Sequence, residues 1–316
     1  MSPTAKRVGS EAIAARGWWA AHRWLMARRA CQLGILGLFL LGPVAGLWLV
    51  KGNLAYSYTL DTLPLTDPYV LLQSLAAGHR PETLALVGAA IVAAFYALIG
   101  GRVYCSWVCP VNPLTDLAAW LRRRLGIGRG ALLMPQLRYW LLAASFVAAA
   151  LSGMIVWEAL NPVSMLHRGL LFGAGFAWLV IAAVFLFDLL VAPRGWCGHV
   201  CPVGAFYGLL GTAALVRVRT PRRAQCNNCM DCYAVCPEPQ VLKPVLKGAE
   251  NGVRPTILDS ACTACGRCAD VCSREVFEFG TRLTDRHRLA GAGAATVNER
   301  PGRRAERALP VISAQR

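Results

Sequence analysis

Four stretches of this chain contain hardly anything but apolar side chains: residues 31–50 (CQLGILGLFLLGPVAGLWLV), about 84–99, about 139–157 and about 170–191. A helix that is apolar on every side must be buried on every side, and ~20 such residues match a hydrocarbon core ~30 Å thick. The expected fold class is therefore an α-helical membrane protein with four transmembrane helices. Basic residues orient it. Six Lys and Arg precede the first run, six lie in 101–138 and five in 192–223, whereas the other two connections hold two (Lys51, Arg80) and one (Arg168). Positive residues stay on the cytoplasmic side, so both termini and the middle connection are expected there. The first run is too long for a signal peptide and lacks a small-residue cleavage site. Hydrophobic residues make up 56% of the chain and charged ones 16%; the net charge of +16 sits at the ends of the runs, not in an aromatic-interleaved stripe, which excludes nucleic acid as the partner.

On this reading residues 1–30 are a cytoplasmic segment, 31–215 the four-helix transmembrane domain, 216–280 a cysteine-rich domain and 281–316 a disordered basic tail with eight arginines. The outward connection from Lys51 to Pro81 contains DTLPLTDP, whose prolines and aspartates favour turns over a long helix.

Eight of the thirteen cysteines fall in two tight groups. Cys226, Cys229, Cys232 and Cys236-Pro237 follow C-x2-C-x2-C-x3-C-P; Cys262, Cys265, Cys268 and Cys272 repeat the spacing, with Ser273 in place of the proline. Three thiolates so spaced wrap one face of a cubane, and the last cysteine of each run crosses to the other cluster. One [4Fe–4S] centre is thus expected on Cys226, Cys229, Cys232 and Cys272, the other on Cys236, Cys262, Cys265 and Cys268. Zinc sites also use C-x2-C pairs, but they have no need of the third cysteine or the terminal C-P. The domain is expected to be an α+β unit of the bacterial dicluster ferredoxin type, carrying single electrons.

A second repeat lies inside the apolar region. YCSWVCPV (104–111) follows the second run and WCGHVCPV (196–203) the fourth, both aromatic-C-x3-C-P-V, which suggests two repeated helical hairpins. Proline after Cys109 and Cys201 disfavours helix at those cysteines and places each pair on a turn. Together Cys105, Cys109, Cys197 and Cys201 could hold a metal, a further cluster or a reversible disulfide. Asp188, within the fourth run, and Glu158, at the outer end of the third, are candidates for proton handling or hydration. His79 and His167 are expected in outward segments, His199 at the surface and Cys31 as a buried lone thiol. No catalytic triad, phosphate loop, dinucleotide fingerprint or haem-binding C-x-x-C-H is present, and no catalytic side chain is assigned.

From GWWAAHRWL through DTLPLTDP, CSWVCPVNPLTDL, WCGHVCPVGA and CNNCMDCYAVCPEP to CTACGRCADVCS, roughly residues 16–280, the chain resembles the NapH-type ferredoxin subunit of the quinol dehydrogenase of the periplasmic nitrate reductase system. The resemblance implies four spans of a bacterial inner membrane, two cytoplasmic [4Fe–4S] clusters, quinol as substrate, and electrons passing toward a periplasmic nitrate reductase. The partners it implies are a periplasmic iron–sulfur protein and a membrane-anchored multihaem cytochrome c. It also marks the two C-x3-C-P motifs as functional. The alternative is an iron–sulfur membrane protein for maturation or assembly of a redox enzyme.

Overall fold

The protein is described from a computed structural model, which defines residues 7–283 apart from 129, 132 and 174. The expected basic tail therefore lies outside the described residues from 284 onward; its first residue, Thr281, belongs to a strand.

The first apolar run forms the helix Arg23–Ala45, whose 23 residues span ~35 Å at ~1.5 Å each. Among the described residues it is the one helix both long and apolar enough to cross a membrane; Thr83–Ile99, Leu137–Ser152 and Gly175–Val191 are apolar but shorter. Glycine sets two of these limits, and the expected boundaries are corrected accordingly. The third run stops at Gly153 (φ 65°), leaving Val156–Leu160 as a separate turn. The fourth is divided by Gly173 (φ 62°) into Pro162–Phe172 and Gly175–Leu186, the latter widening into a π turn at Phe187–Val191. Both glycines sit in the left-handed region, which ends a helix at little cost only without a β-carbon. The outer faces of the helices are apolar: Leu98, Val147, Leu151 and Leu179 are all more than half exposed.

The connection after the first helix is more ordered than turn signals imply. Val50–Gly52, Tyr56–Thr59 and Leu63–Thr66 form an antiparallel three-stranded sheet with Tyr56–Thr59 in the centre, so Pro64 falls in an edge strand, where its missing N–H is tolerated. The Asn53 side chain builds the first turn by accepting from the Ala55 and Tyr56 amides at 2.8 and 3.0 Å. The sheet lies on the helix Thr83–Ile99, closest at Gly88, where a β-carbon would come 3.0 Å from the Pro64 carbonyl oxygen. Asp67 then caps the helix Pro68–Ala76 by accepting from the Tyr69 amide at 2.9 Å, and Tyr69 enters an aromatic cluster with Phe146, Trp157 and Phe206.

The two C-x3-C-P segments have one design. Tyr104–Val108 and Trp196–Val200 are single π turns, each ending on a cysteine in extended conformation (Cys109 and Cys201) and leading toward a helix, Asn112–Arg124 or Pro202–Leu210. The extended cysteines are what a following proline requires.

The cysteine-rich domain is closed at both ends by one antiparallel pair, Val216–Arg219 with Glu278–Thr281. Two short helices between them, Asp231–Val235 and Arg267–Val271, are each entered through a left-handed residue, Met230 (φ 64°) or Gly266 (φ 73°). Val218, Val241, Leu242, Val245, Ile257, Val276 and Phe277 form its core. The N-terminal segment clamps this α+β domain to the helices: Asp231 accepts from the Gly9 amide at 2.9 Å, and Asp270 from the Trp24 and Leu25 amides at 3.1 and 2.9 Å.

Candidate functional site

Twelve cysteines ring three cavities, four to each. Cys226, Cys229, Cys232 and Cys272 line the first, Cys236, Cys262, Cys265 and Cys268 the second, and Cys105, Cys109, Cys197 and Cys201 the third. The backbone explains the first two. Left-handed residues fall between successive cysteines (Asn228 and Met230 in one run, Ala264 and Gly266 in the other), so the chain curls and turns each thiol inward. The last cysteine of each run follows its helix in extended backbone and so reaches the neighbouring cavity. The exchange expected from the spacing is thereby present in the lining of the cavities. Four thiols to a cavity, three from one run and one from the other, are the donor set of an iron–sulfur cluster.

Arg267 lines the second cavity beside Cys265 and donates to both carboxylate oxygens of Asp116 at 2.6 and 2.7 Å. Arg29 also pairs with Asp116, as do Arg28 at 3.4 Å and Arg194 at 3.7 Å. Burial acts against ionisation of Asp116, but Arg267, Arg194 and Arg28 outweigh it and hold the carboxyl far below its ordinary range. Burial likewise opposes the Cys265 thiolate, and Arg267 and Arg28 overcome it, bringing the thiol down to about 7.

The third cavity adjoins the second through direct contacts. Ser106 Oγ donates to the Thr263 carbonyl at 2.7 Å, and Trp107 Nε1 to that of Ala264 at 3.1 Å. Arg102 donates to Ala261 O at 2.7 Å, to Cys197 O at 3.0 Å and to Glu238 Oε1 at 2.5 Å. Arg138 reaches Gly198 O at 3.1 Å and the same Glu238 oxygen at 2.5 Å. Both π turns are thus seated on the loops that carry Cys236, Cys262 and Cys265. On the other side Asp67, Trp157 and Asn161 complete the wall. Burial pushes the Cys201 thiol up to about 12, so a bound cation would displace a proton there.

Reading single residues was less successful. Asp188 is fully buried and accepts from the Trp196 amide at 2.8 Å, fixing the second π turn. Glu158 lies in the separate turn Val156–Leu160, not at the end of a long helix, and binds Asn161 and Ser164 at 3.0 and 2.8 Å. His167 is buried against Phe39; His79 is exposed, as an outward connection allows. His199 is half-buried, not at the surface, and Cys31 is half-buried, not enclosed. Asp67, Arg102, Asp116, Arg138, Glu238 and Arg267 carry the architecture of the site and were missed. The usable signals were slight: an acid directly after Cys236-Pro237, and arginines placed beside apolar runs at 102 and 138.

A further cavity of about 410 Å³ opens where the N-terminal segment meets the helix Asn112–Arg124. His22, Trp120, Arg123 and Arg267 line it, with Val235 and Val271, the chain neighbours of Cys236 and Cys272.

Comparison with known proteins agrees with this geometry. A family described as a 4Fe-4S binding domain matches twice, over residues 82–128 and 174–222, one match on each C-x3-C-P segment, which bears out the internal repeat. A 4Fe-4S dicluster domain matches residues 225–276. The chain is 51% identical to the ferredoxin-type protein NapH of Escherichia coli, over 89% of this chain and 98% of that protein. It is 49% identical to NapH of Haemophilus influenzae, over 90% and 98%. It is 52% identical to the methylamine utilization ferredoxin-type protein MauN of Methylorubrum extorquens, over 86% and 94%. No solved structure matches.

Proposed function

The chain belongs to the NapH-type ferredoxin family, and from that premise we propose that this iron–sulfur electron-transfer protein is the membrane-bound subunit that takes part in quinol oxidation and passes electrons toward a periplasmic nitrate reductase. One observation carries the reading: three four-thiol cavities in contact, two within a dicluster domain and the third between two helical repeats. Cys226, Cys229, Cys232 and Cys272 hold one [4Fe–4S] cluster and Cys236, Cys262, Cys265 and Cys268 the other. The clusters supply one-electron chemistry when bound; the protein positions them and keeps water away. Cys105, Cys109, Cys197 and Cys201 form a third redox or metal site. The turn Asn53–Ala55 supports a relay role for it, because Leu54 packs on the same Val111, Val163 and Val184 cluster as Cys109 and Trp196.

The outward-facing apolar surfaces favour four spans, and the Lys and Arg distribution favours both termini and the ferredoxin domain in the cytoplasm. Helices of 16 or 17 residues reach only ~25 Å, a shortfall met by local thinning of the bilayer. The 410 Å³ cavity, lined by His22, Arg28, Arg123 and Arg267, supports this face as the quinol site. The partners are a periplasmic iron–sulfur protein and a membrane-anchored multihaem cytochrome c. The 52% identity to a methylamine utilization protein supports a second reading, service in maturation or assembly of a different redox enzyme.

The test is anaerobic purification of the full chain in detergent, with iron and acid-labile sulfide analysis and low-temperature EPR before and after adding a quinol, alone and with the partner proteins. About eight iron and eight sulfide in the dicluster domain are expected, from two cubanes of four each, together with EPR signals that grow on quinol addition. Clusters that stay oxidised with quinol and partners present favour the assembly reading. A variant with Cys105, Cys109, Cys197 and Cys201 changed to Ser that keeps full iron content and electron transfer removes the third site.

A further inference from the structure

The two dicluster sites differ in what surrounds them. Arg267 lines the second with Cys265 and Cys268; Arg102 and Arg217 line a neighbouring cavity with Cys262; Arg194 donates to the carbonyl of Val235, the residue before Cys236; and Arg28 shares Asp116 with Arg267. Arg28, Arg102, Arg194, Arg217 and Arg267 are each less than a tenth exposed. Their acidic counterweights are Asp116, Glu238 and Asp259, and these are shared: Asp116 serves four guanidiniums and Glu238 binds Arg138 as well as Arg102. Positive charge is left over at the second site.

The first site is different. Lys247 is the basic side chain in its lining, and it is bound to Asn228. Two carboxylates stand close by. Asp231 lies between Cys229 and Cys232 in the chain, and Glu11 reaches Asn227 and Ser273, neighbours of Cys226 and Cys272, at 3.5 and 3.4 Å.

A cubane with four thiolates carries a charge of about −2 when oxidised and −3 when reduced. Reduction adds one electron, breaks no bond and moves no atom, so its free energy follows the surrounding charge closely. Burial opposes the added charge at both sites. The same low dielectric strengthens the pull of a nearby guanidinium; Arg267 stands in the lining of the second site, and among the described residues no guanidinium stands in the lining of the first.

We infer that the Cys236, Cys262, Cys265 and Cys268 site is the higher-potential centre of the pair, with Arg267 as the residue that sets it, so that a single electron shared between the clusters rests beside the C-x3-C-P cavity. The inference builds on the two-cluster reading above. It gives the domain a direction: the site seated on the π turns fills before the site at the far end. It also brings that centre nearer to the range a quinol can reduce.

The experiment uses full-length protein purified anaerobically, titrated electrochemically and followed by EPR. Signals are assigned with Cys229→Ala, which disables the first site, and Cys262→Ala, which disables the second. At one electron per protein the wild type is expected to display the signal lost in Cys262→Ala. Arg267→Gln is expected to shift that midpoint downward and leave the other in place, whereas Arg267→Lys retains most of it. Should Arg267→Gln fail to load, Arg217→Gln, at the Cys262 side, is expected to produce a smaller downward shift. Wild-type protein whose first electron appears in the signal lost in Cys229→Ala, or two midpoints unmoved by these arginine variants, overturns the inference while leaving the two-cluster reading intact. Protein without acid-labile sulfide sinks both.

Discussion

Glu238 is 2% exposed and stands between two guanidiniums, Arg102 from the turn after Ile99 and Arg138 from the helix Leu137–Ser152. Its charge is one tie between the ferredoxin domain and the π turns. Removing one partner of a buried ion pair costs ~3–5 kcal/mol, because the remaining charges stay desolvated. Glu238→Gln leaves two arginines with an amide, and its thermal unfolding in detergent is expected to show a loss of ~3 kcal/mol; a change below ~1 kcal/mol would assign the tie elsewhere. Asp67 is the opposite case. Buried at the rim of the third cavity, it accepts from the Tyr69 amide and the Tyr207 hydroxyl, yet burial raises its carboxyl from 3.8 to about 6. The folded state therefore binds this proton more tightly than the unfolded chain does. Stability from this group is full below the unfolded value of 3.8 and falls as pH rises through about 6. The penalty at pH 8 is on the order of 3 kcal/mol. Asp67→Asn keeps the cap and removes the charge. It is expected to raise the unfolding temperature at pH 8 and to have little effect near pH 4, a pattern that unfolding scans at the two pH values check.

The π turns Tyr104–Val108 and Trp196–Val200 work as a pair because the chain around them packs backbone to backbone. A β-carbon on Gly101 would collide with the Tyr207 carbonyl and the Gly211 backbone, neither of which can rotate away. Gly101→Ala is expected to cost ~1–3 kcal/mol through overpacking and to push the first turn off the second repeat. Faster maleimide modification of Cys105 and Cys109 in metal-free protein would report that movement, and unchanged rates would mean the backbone yields elsewhere. At this scale the sequence was uneven as a guide. Cubane ligation is written mostly locally, three cysteines at every third residue and a fourth four residues on, so Cys226 to Cys236 and Cys262 to Cys272 were readable without a partner in view. The glycines that stop two apolar helices, Gly153 and Gly173, stood in plain sight but were overridden by the apolar residues around them. The sheet at Val50–Thr66 was not readable, since strands of three and four residues are too short to display an alternation. Nor were the ion-pair hubs: Arg267 lies 151 residues from Asp116, and Arg102 136 from Glu238, separations over which no local pattern extends.

The helix Arg23–Ala45 relates the two ends of the molecule. At its start Trp24 and Leu25 are tied to Asp270 of the ferredoxin domain; at its finish the chain turns through Gly46 into the strand at Val50. On the topology proposed above, a helix of ~35 Å between those points separates the turn after Thr59 from the cluster-bearing domain across the membrane, and the excess of Lys and Arg at the ferredoxin end puts that side in the cytoplasm. Asp61, whose side chain is 62% exposed, and Lys243, exposed on the ferredoxin domain, are convenient reporters. The ion pair that Asp61 makes with Lys51 is at the surface and costs little to lose. In intact cells a membrane-impermeant maleimide is expected to label Asp61→Cys well above the unsubstituted protein and to leave Lys243→Cys at background until the cells are opened. The reverse pattern would invert the molecule and leave the clusters on the periplasmic side. Labelling of both positions in intact cells would mean that the helix does not cross the bilayer. In the second case the third cavity would lose its place between an inner electron store and an outer acceptor, since its position between the turn at Leu54 and the loop Ala261–Ala264 matters only if those two segments face different compartments.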